Sequence, residues 1–106
     1  MDGGVAEFVK ALSLAELPAG ECREALVAGR AVALFNVDGV VYALSNTCTH
    51  RGGPLGQGIL DGTTVMCPWH AWTYDVTTGC STVNPQLNVD RFDVKVEDGQ
   101  VLVKVG

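Results

Sequence analysis

Cys48-Thr49-His50-Arg51-Gly52-Gly53-Pro54 and, sixteen residues after His50, Cys67-Pro68-Trp69-His70-Ala71-Trp72 are the two stretches on which the reading of this chain turns. Each offers one thiolate and one imidazole. Together Cys48, His50, Cys67 and His70 are enough ligands to close a metal site. A thiolate is a soft, charged ligand and an imidazole a neutral, borderline one. Four such groups satisfy either a tetrahedral zinc or a two-iron, two-sulfide cluster. The even split between Cys and His points to an asymmetric cluster. Charge decides what that split does. Two ferric ions, two sulfides and two thiolates make a neutral body, whereas four thiolates make a dianion. An electron is added to the neutral one at less electrostatic work. His ligation therefore raises the reduction potential, to about -150 to +300 mV against about -400 mV for all-Cys plant-type clusters. The chemistry expected is single-electron movement.

Outward from these pairs, the chain divides into a loop-rich middle and β-rich flanks. Ser45 to Thr63 holds Gly52, Gly53, Gly56, Gly58, Gly62 and Pro54, and reads as one long loop carrying the first pair. A loop of that length in a compact domain is expected to be functional. Thr64 to Met66 is a short strand leading to the second pair, Trp72 to Asp75 another, and Thr77-Thr78-Gly79 its turn. Before the middle, strands are expected at Glu7 to Leu12, Cys22 to Val27, Ala31 to Val37 and Val40 to Leu44. Ser13 to Gly20 is a loop with one helical turn opened by Ser13 and ended by Pro18. After it come Phe92 to Glu97 and Gln100 to Val105. Asp38-Gly39 and Asp98-Gly99 tolerate positive φ and close tight hairpins, and Ala28-Gly29 is a third turn. Both Asp-Gly hairpins alternate apolar and polar residues, so one face of each is expected to be buried. Strands at this spacing specify an all-β fold, a small antiparallel sandwich or barrel.

The 106 residues make one domain, 1–106, with a cluster-binding part over about 45–85. With 47% hydrophobic residues a modest core can form. The net charge of -5 argues against nucleic acid, which needs clustered Lys and Arg, and would steer the chain to a basic patch on a partner. The N-terminus shows no basic start followed by an apolar run, and no stretch of about 18 apolar residues occurs. A soluble, cytoplasmic protein with no membrane partner is expected. Cys22 and Cys80 are left over. They read as buried small hydrophobes, with a redox pair as the alternative.

The two ligand stretches resemble the cluster loops of Rieske iron–sulfur proteins, whose pattern is C-x-H, about fifteen to seventeen residues, then C-x-x-H. Pro54, Pro68 and Tyr74-Asp75 match the flanks. The resemblance implies one [2Fe-2S] cluster per chain, with Cys48 and Cys67 on one iron and His50 and His70 on the other, nearest the surface. It also assigns Pro85, in Asn84-Pro85-Gln86, to a loop covering the cluster. The high-potential members carry two further cysteines that bridge the loops; here Gly53 and Trp69 stand there. Those members also place a serine hydroxyl on a cluster sulfur, where this chain has Trp72. Tyr74 matches the tyrosine that donates a second such bond. A potential in the lower half of the His-ligated range is therefore expected. Around the ligands, Trp69 is a candidate for the docking surface, Arg51 for pairing with a partner carboxylate or with Asp61 or Asp75, and Gly52 and Gly53 for tight backbone turns. The implied function is that of a Rieske-type ferredoxin: a monomeric carrier, not a catalyst by itself, taking electrons from a flavin reductase to a ring-hydroxylating oxygenase. A nitrite reductase-like small subunit and a zinc-stabilised binding module are the alternatives.

Overall fold

In a computed structural model of the chain, residues 8–47, 53–69, 72–84 and 86–105 are described. Among the described residues nine strands form: β1 Val9–Ser13, β2 Cys22–Val27, β3 Arg30–Val37, β4 Val40–Ser45, β5 Ile59–Asp61, β6 Thr64–Met66, β7 Thr73–Asp75, β8 Arg91–Glu97 and β9 Gln100–Lys104. Six of them make one antiparallel sheet in the order β1-β9-β8-β4-β3-β2. Its end strands β1 and β2 pack on each other, so the sheet curls into a nearly closed barrel. The other three make a small antiparallel sheet, β5-β6-β7. The all-β expectation holds. No helix among the described residues is long and apolar enough to cross a membrane.

The three turn dipeptides behave as two-residue hairpin turns of the kind that match strand twist. Asp38-Gly39 and Asp98-Gly99 take φ of 51° and 94°, and 51° and 73°. Ala28-Gly29 takes 50° and 83°, which places an alanine in the left-handed region. The helical turn after Ser13 is a 3₁₀ turn at Leu14–Glu16, where the Glu16 carboxylate accepts from the Ser13 N–H at 3.0 Å. The first strand starts at Val9 rather than Glu7, which lies outside the described residues.

Two expectations are corrected. The long loop from Ser45 to Thr63 is not structureless. It contains a 3₁₀ turn at Leu55–Gln57 and the strand β5, whose residues pair Ile59 with Met66, Leu60 with Val65 and Asp61 with Thr64. Three residues between glycines gave too short a pattern to read as a strand. Likewise, the β3–β4 hairpin is buried on both faces, not one. Val32, Leu34, Val41 and Ala43 face the barrel interior with Leu17, Val27, Phe92, Val101 and Val103. Ala33, Phe35 and Leu44 face outward into a second core with Leu55, Val65, Cys67, Tyr74, Val76 and Val89. The nearly continuous apolar run Ala31–Phe35 carries this double burial, as for any strand covered on both sides. The small sheet is what covers the outer face, and Cys67 belongs to that second core.

Candidate metal centre

The loop that carries the first candidate ligand pair springs from a closed neck. Thr47 and Pro54 pair across it in an isolated bridge, and the Leu55 N–H donates to the Asn46 carbonyl at 2.9 Å. Asn46 is buried and uses its whole side chain. Its Oδ1 accepts from the Gly56 N–H at 2.7 Å, and its Nδ2 donates to Glu24 Oε2 at 2.6 Å. The other Glu24 oxygen accepts from Gln57 Nε2 at 2.9 Å. Two residues along β2, the Cys22 thiol donates to the Gly58 carbonyl at 3.2 Å. One face of β2 thus clamps the turn that follows the loop. Gly56 and Gly58 make the fit possible. A Cβ would stand 2.5 Å from Glu24 Cγ at the first and 2.1 Å from the Met66 carbonyl oxygen at the second.

The second loop is the end of the β6–β7 hairpin. Beyond the Met66–Thr73 pair, the Cys67 N–H donates to the Trp72 carbonyl at 2.7 Å and closes the neck of the loop. Cys67 is 1% exposed. Tyr74 is fully buried in the same core, and Trp72 packs half-buried against it. Trp69 projects, 50% exposed. A third segment hangs on β7: the Thr82 N–H donates to the Thr73 carbonyl at 2.9 Å, and Ser81 Oγ accepts from the N–H groups of Val83 and Asn84 at 3.2 and 3.1 Å.

Gly53 joins the two loops. A Cβ there would lie 2.7 Å from Cys67 Sγ and 3.1 Å from Trp69 Cβ. The second distance approaches the roughly 3.5–4.5 Å Cβ spacing of a disulfide. Positions 53 and 69 therefore face each other where bridging cysteines would stand, and neither is a cysteine. Of the site residues read from sequence, the structure brings together Gly53, Cys67, Trp69, Trp72 and Tyr74. Cys48, His50, Arg51, Gly52, His70 and Pro85 lie outside the described residues.

Comparison with known proteins decides the family. The chain matches the Rieske [2Fe-2S] domain over residues 7–101. It belongs to the Rieske family. The ferredoxin component of a naphthalene 1,2-dioxygenase system from Pseudomonas aeruginosa is 34% identical over 98 residues, spanning 92% of this chain and 94% of that one. A chain in the complex of reduced oxygenase and oxidized ferredoxin of carbazole 1,9a-dioxygenase gives a TM-score of 0.83 at 29% identity, with 92% of each chain covered. A Mycobacterium tuberculosis chain, a candidate NADH-dependent nitrite reductase small subunit, gives 0.87 with 96% and 97% covered. At 24% identity that likeness is one of fold.

The cofactor of the Rieske domain is one [2Fe-2S] cluster, which sets aside the zinc module. The described residues fit it. Cys67 Sγ is held in an apolar core at the end of a hairpin, and the loop facing it offers a glycine where any side chain would cover the sulfur.

Cys22 and Cys80 are not joined by a disulfide, and both are half-buried rather than buried. Burial pushes the Cys22 thiol above its ordinary range, Glu21 adds to the rise, and Arg23 opposes it. Cys22 thus stays a protonated donor to Gly58, a role more specific than a small hydrophobe. Sequence reading missed the Glu24–Asn46–Gln57 clamp. Its three polar residues are ordinary in type and far apart in the chain, and only the cluster of glycines hinted at close packing there.

Proposed function

We propose that this Rieske chain is a one-electron carrier that takes electrons from a flavin-dependent reductase and delivers them to a ring-hydroxylating terminal oxygenase. Cys48 and Cys67 would hold one iron of the cluster, and His50 and His70 the other. When bound, the cluster supplies a site that alternates between oxidised and one-electron-reduced forms. The chain's own residues do the rest. The β2 clamp fixes the neck of the first loop, the Cys67–Trp72 bond fixes that of the second, and Gly53 lets the loops meet. Buried Tyr74 and half-buried Trp72 keep water from the Cys67 side. The cluster-binding part comprises residues 45–85 of a single domain.

The observation that carries this reading is the approach of Gly53 to Cys67 Sγ: two loops converge on a thiol, with no bridging cysteines of the high-potential kind. Support comes also from the dioxygenase ferredoxin similar to it over nearly the full length of both chains. A reducing cytoplasm suits the unbridged Cys22 and Cys80, and a monomer suits a carrier that must visit two partners. The nitrite reductase-like small subunit shares the fold alone and has no further observation in its favour.

Absorption and low-temperature EPR spectra before and after dithionite test the reading. Bands that bleach, with a rhombic reduced signal whose average g falls below the free-electron value, are the expected result. A colourless, EPR-silent protein would overturn it. Reconstitution with a ring-hydroxylating oxygenase and its reductase, against a sirohaem reductase, separates the two partner assignments.

A further inference from the structure

The outer face of the β5–β6–β7 sheet sets exposed apolar side chains beside carboxylates. Leu60, Val65 and Tyr74 point inward. Across the other face run two registered rows: Ile59, Met66 and Thr73, then Asp61, Thr64 and Asp75. The first row lies toward the second ligand loop, because β6 runs from Thr64 through Met66 to Cys67. Ile59 is 66% exposed and Met66 37%. The row continues sideways through Thr82, whose hydroxyl meets that of Thr73, to Val83, which is 59% exposed. Ile59, Met66, Trp69 and Val83 are four of the nine large hydrophobic side chains exposed among the described residues. A depression of ≈ 360 Å³ is lined by Ile59, Asp61, Thr64, Met66 and Thr73.

Behind this apolar row sits one whose charged members, Asp61 and Asp75, are both negative. Asp61 and Asp75 form no ion pair with any described residue; Asp75 Oδ1 accepts only from the Thr77 N–H and hydroxyl, at 2.9 and 2.6 Å. Between Arg51 and Arg91 the chain has no lysine or arginine. Within this segment no described lysine or arginine stands opposite these carboxylates.

We propose that this flank, running from Trp69 down the outer face of β5–β6–β7, is a docking surface for a protein with an apolar centre and a Lys/Arg rim opposite Asp61 and Asp75. The inference rests on the carrier reading and adds where the partner sits: beside the second loop, on the outer face of the small sheet. Exposed apolar residues flanked by carboxylates that pair with no described base favour such a partner, since the apolar row supplies contact and the carboxylates supply steering. A second copy is disfavoured, because a two-fold contact through this face would set carboxylates against carboxylates.

The test uses the cluster-loaded full chain, reduced, and oxidised cytochrome c as a lysine-ringed probe. One electron leaves the reduced cluster and converts ferric haem to ferrous. Stopped-flow rates are taken against ionic strength for the wild type, Asp61→Asn/Asp75→Asn, Ile59→Ser/Met66→Ser and the barrel-hairpin control Glu97→Gln/Asp98→Asn. The first pair should slow transfer by about tenfold at low salt and match the wild type near 1 M, where screening acts within about 3 Å. The second should slow it at every salt concentration, and the control should change little. Ferricyanide, which needs no docking face, reports the cluster independently. Normal ferricyanide rates with variants that follow the wild-type salt curve, or a control that slows as much, would overturn the docking surface alone. A chain that reduces neither oxidant would overturn the carrier reading beneath it. A sedimenting dimer lost on Ile59→Ser/Met66→Ser would assign the face to a second copy and overturn the proposal.

Discussion

Gly53→Ala is the sharpest perturbation of the site. The new methyl carbon would stand 2.7 Å from Cys67 Sγ, 3.0 Å from Trp69 Cγ and 3.1 Å from Trp69 Cβ. Comfortable non-bonded separations are about 3.5–4.0 Å, so the sulfur contact is short by about 1 Å. Cys67 cannot retreat easily. It is 1% exposed and its N–H is tied to the Trp72 carbonyl at 2.7 Å. Trp69 can swing outward, but that relieves only the lesser contacts. The loops must therefore part, at the roughly 1–3 kcal/mol typical of overpacking. Strain present while the loops hold the cluster and released once they let go speeds cluster loss by about 5- to 160-fold. The assay is the decay of visible absorption under an iron chelator. Gly62→Ala is the control. Its φ of 62° makes alanine strained there too, but a Cβ would meet no atom within 4 Å. It should lower thermal stability and leave cluster loss near the wild-type rate. Wild-type decay in Gly53→Ala, or equal acceleration in both variants, would refute the argument that the glycine exists to admit the sulfur.

Tyr74→Phe removes a buried hydroxyl from the core that holds Cys67. In the proposed function that hydroxyl donates to a cluster sulfur and favours the reduced cluster; losing such a bond, about 0.5–1.5 kcal/mol, should lower the potential by about 20–65 mV, read by redox titration. Cys22 makes stability fall at alkaline pH. Its thiol value is raised on folding, so its contribution is complete below the ordinary value of 9.0. Above that the unfolded thiol ionises first, and stability is lost as pH rises toward the folded value. Urea midpoints between about pH 8 and about 10 should therefore drop less for Cys22→Ala than for the wild type; parallel curves would count against it. Ala28→Asn replaces a left-handed alanine, φ 50°, with a residue that tolerates that region, and should raise Tm by about 2–8 °C on calorimetry.

What could be read from sequence and what could not divide along a physical line. The hairpin turns and the missing bridge are local patterns; the proposed ligand pairs are local patterns too, but all of their residues except Cys67 lie outside the described residues. Asp38-Gly39 states its turn in two letters, and Gly53 and Trp69 state the absence of a disulfide by not being cysteines. The strand β5 and the double burial of β3 are products of tertiary contact. Ile59–Asp61 becomes a strand because Thr64–Met66 lies beside it, and Ala33 and Phe35 are covered because the small sheet docks there. The β2 clamp was the least legible part. Asn46 stands two positions before a proposed ligand, yet its meaning lies in Glu24, which reaches it from another strand. That placement has a consequence for mutation. Asn46→Ala would strip the Gly56 N–H of its acceptor and Glu24 of a donor at once, about 1–3 kcal/mol for the buried group alone. The loss falls at the neck of the loop that presents Cys48 and His50. Damage to the cluster can therefore begin at a residue that touches no metal, because a loop holds its ligands only as firmly as its base is closed.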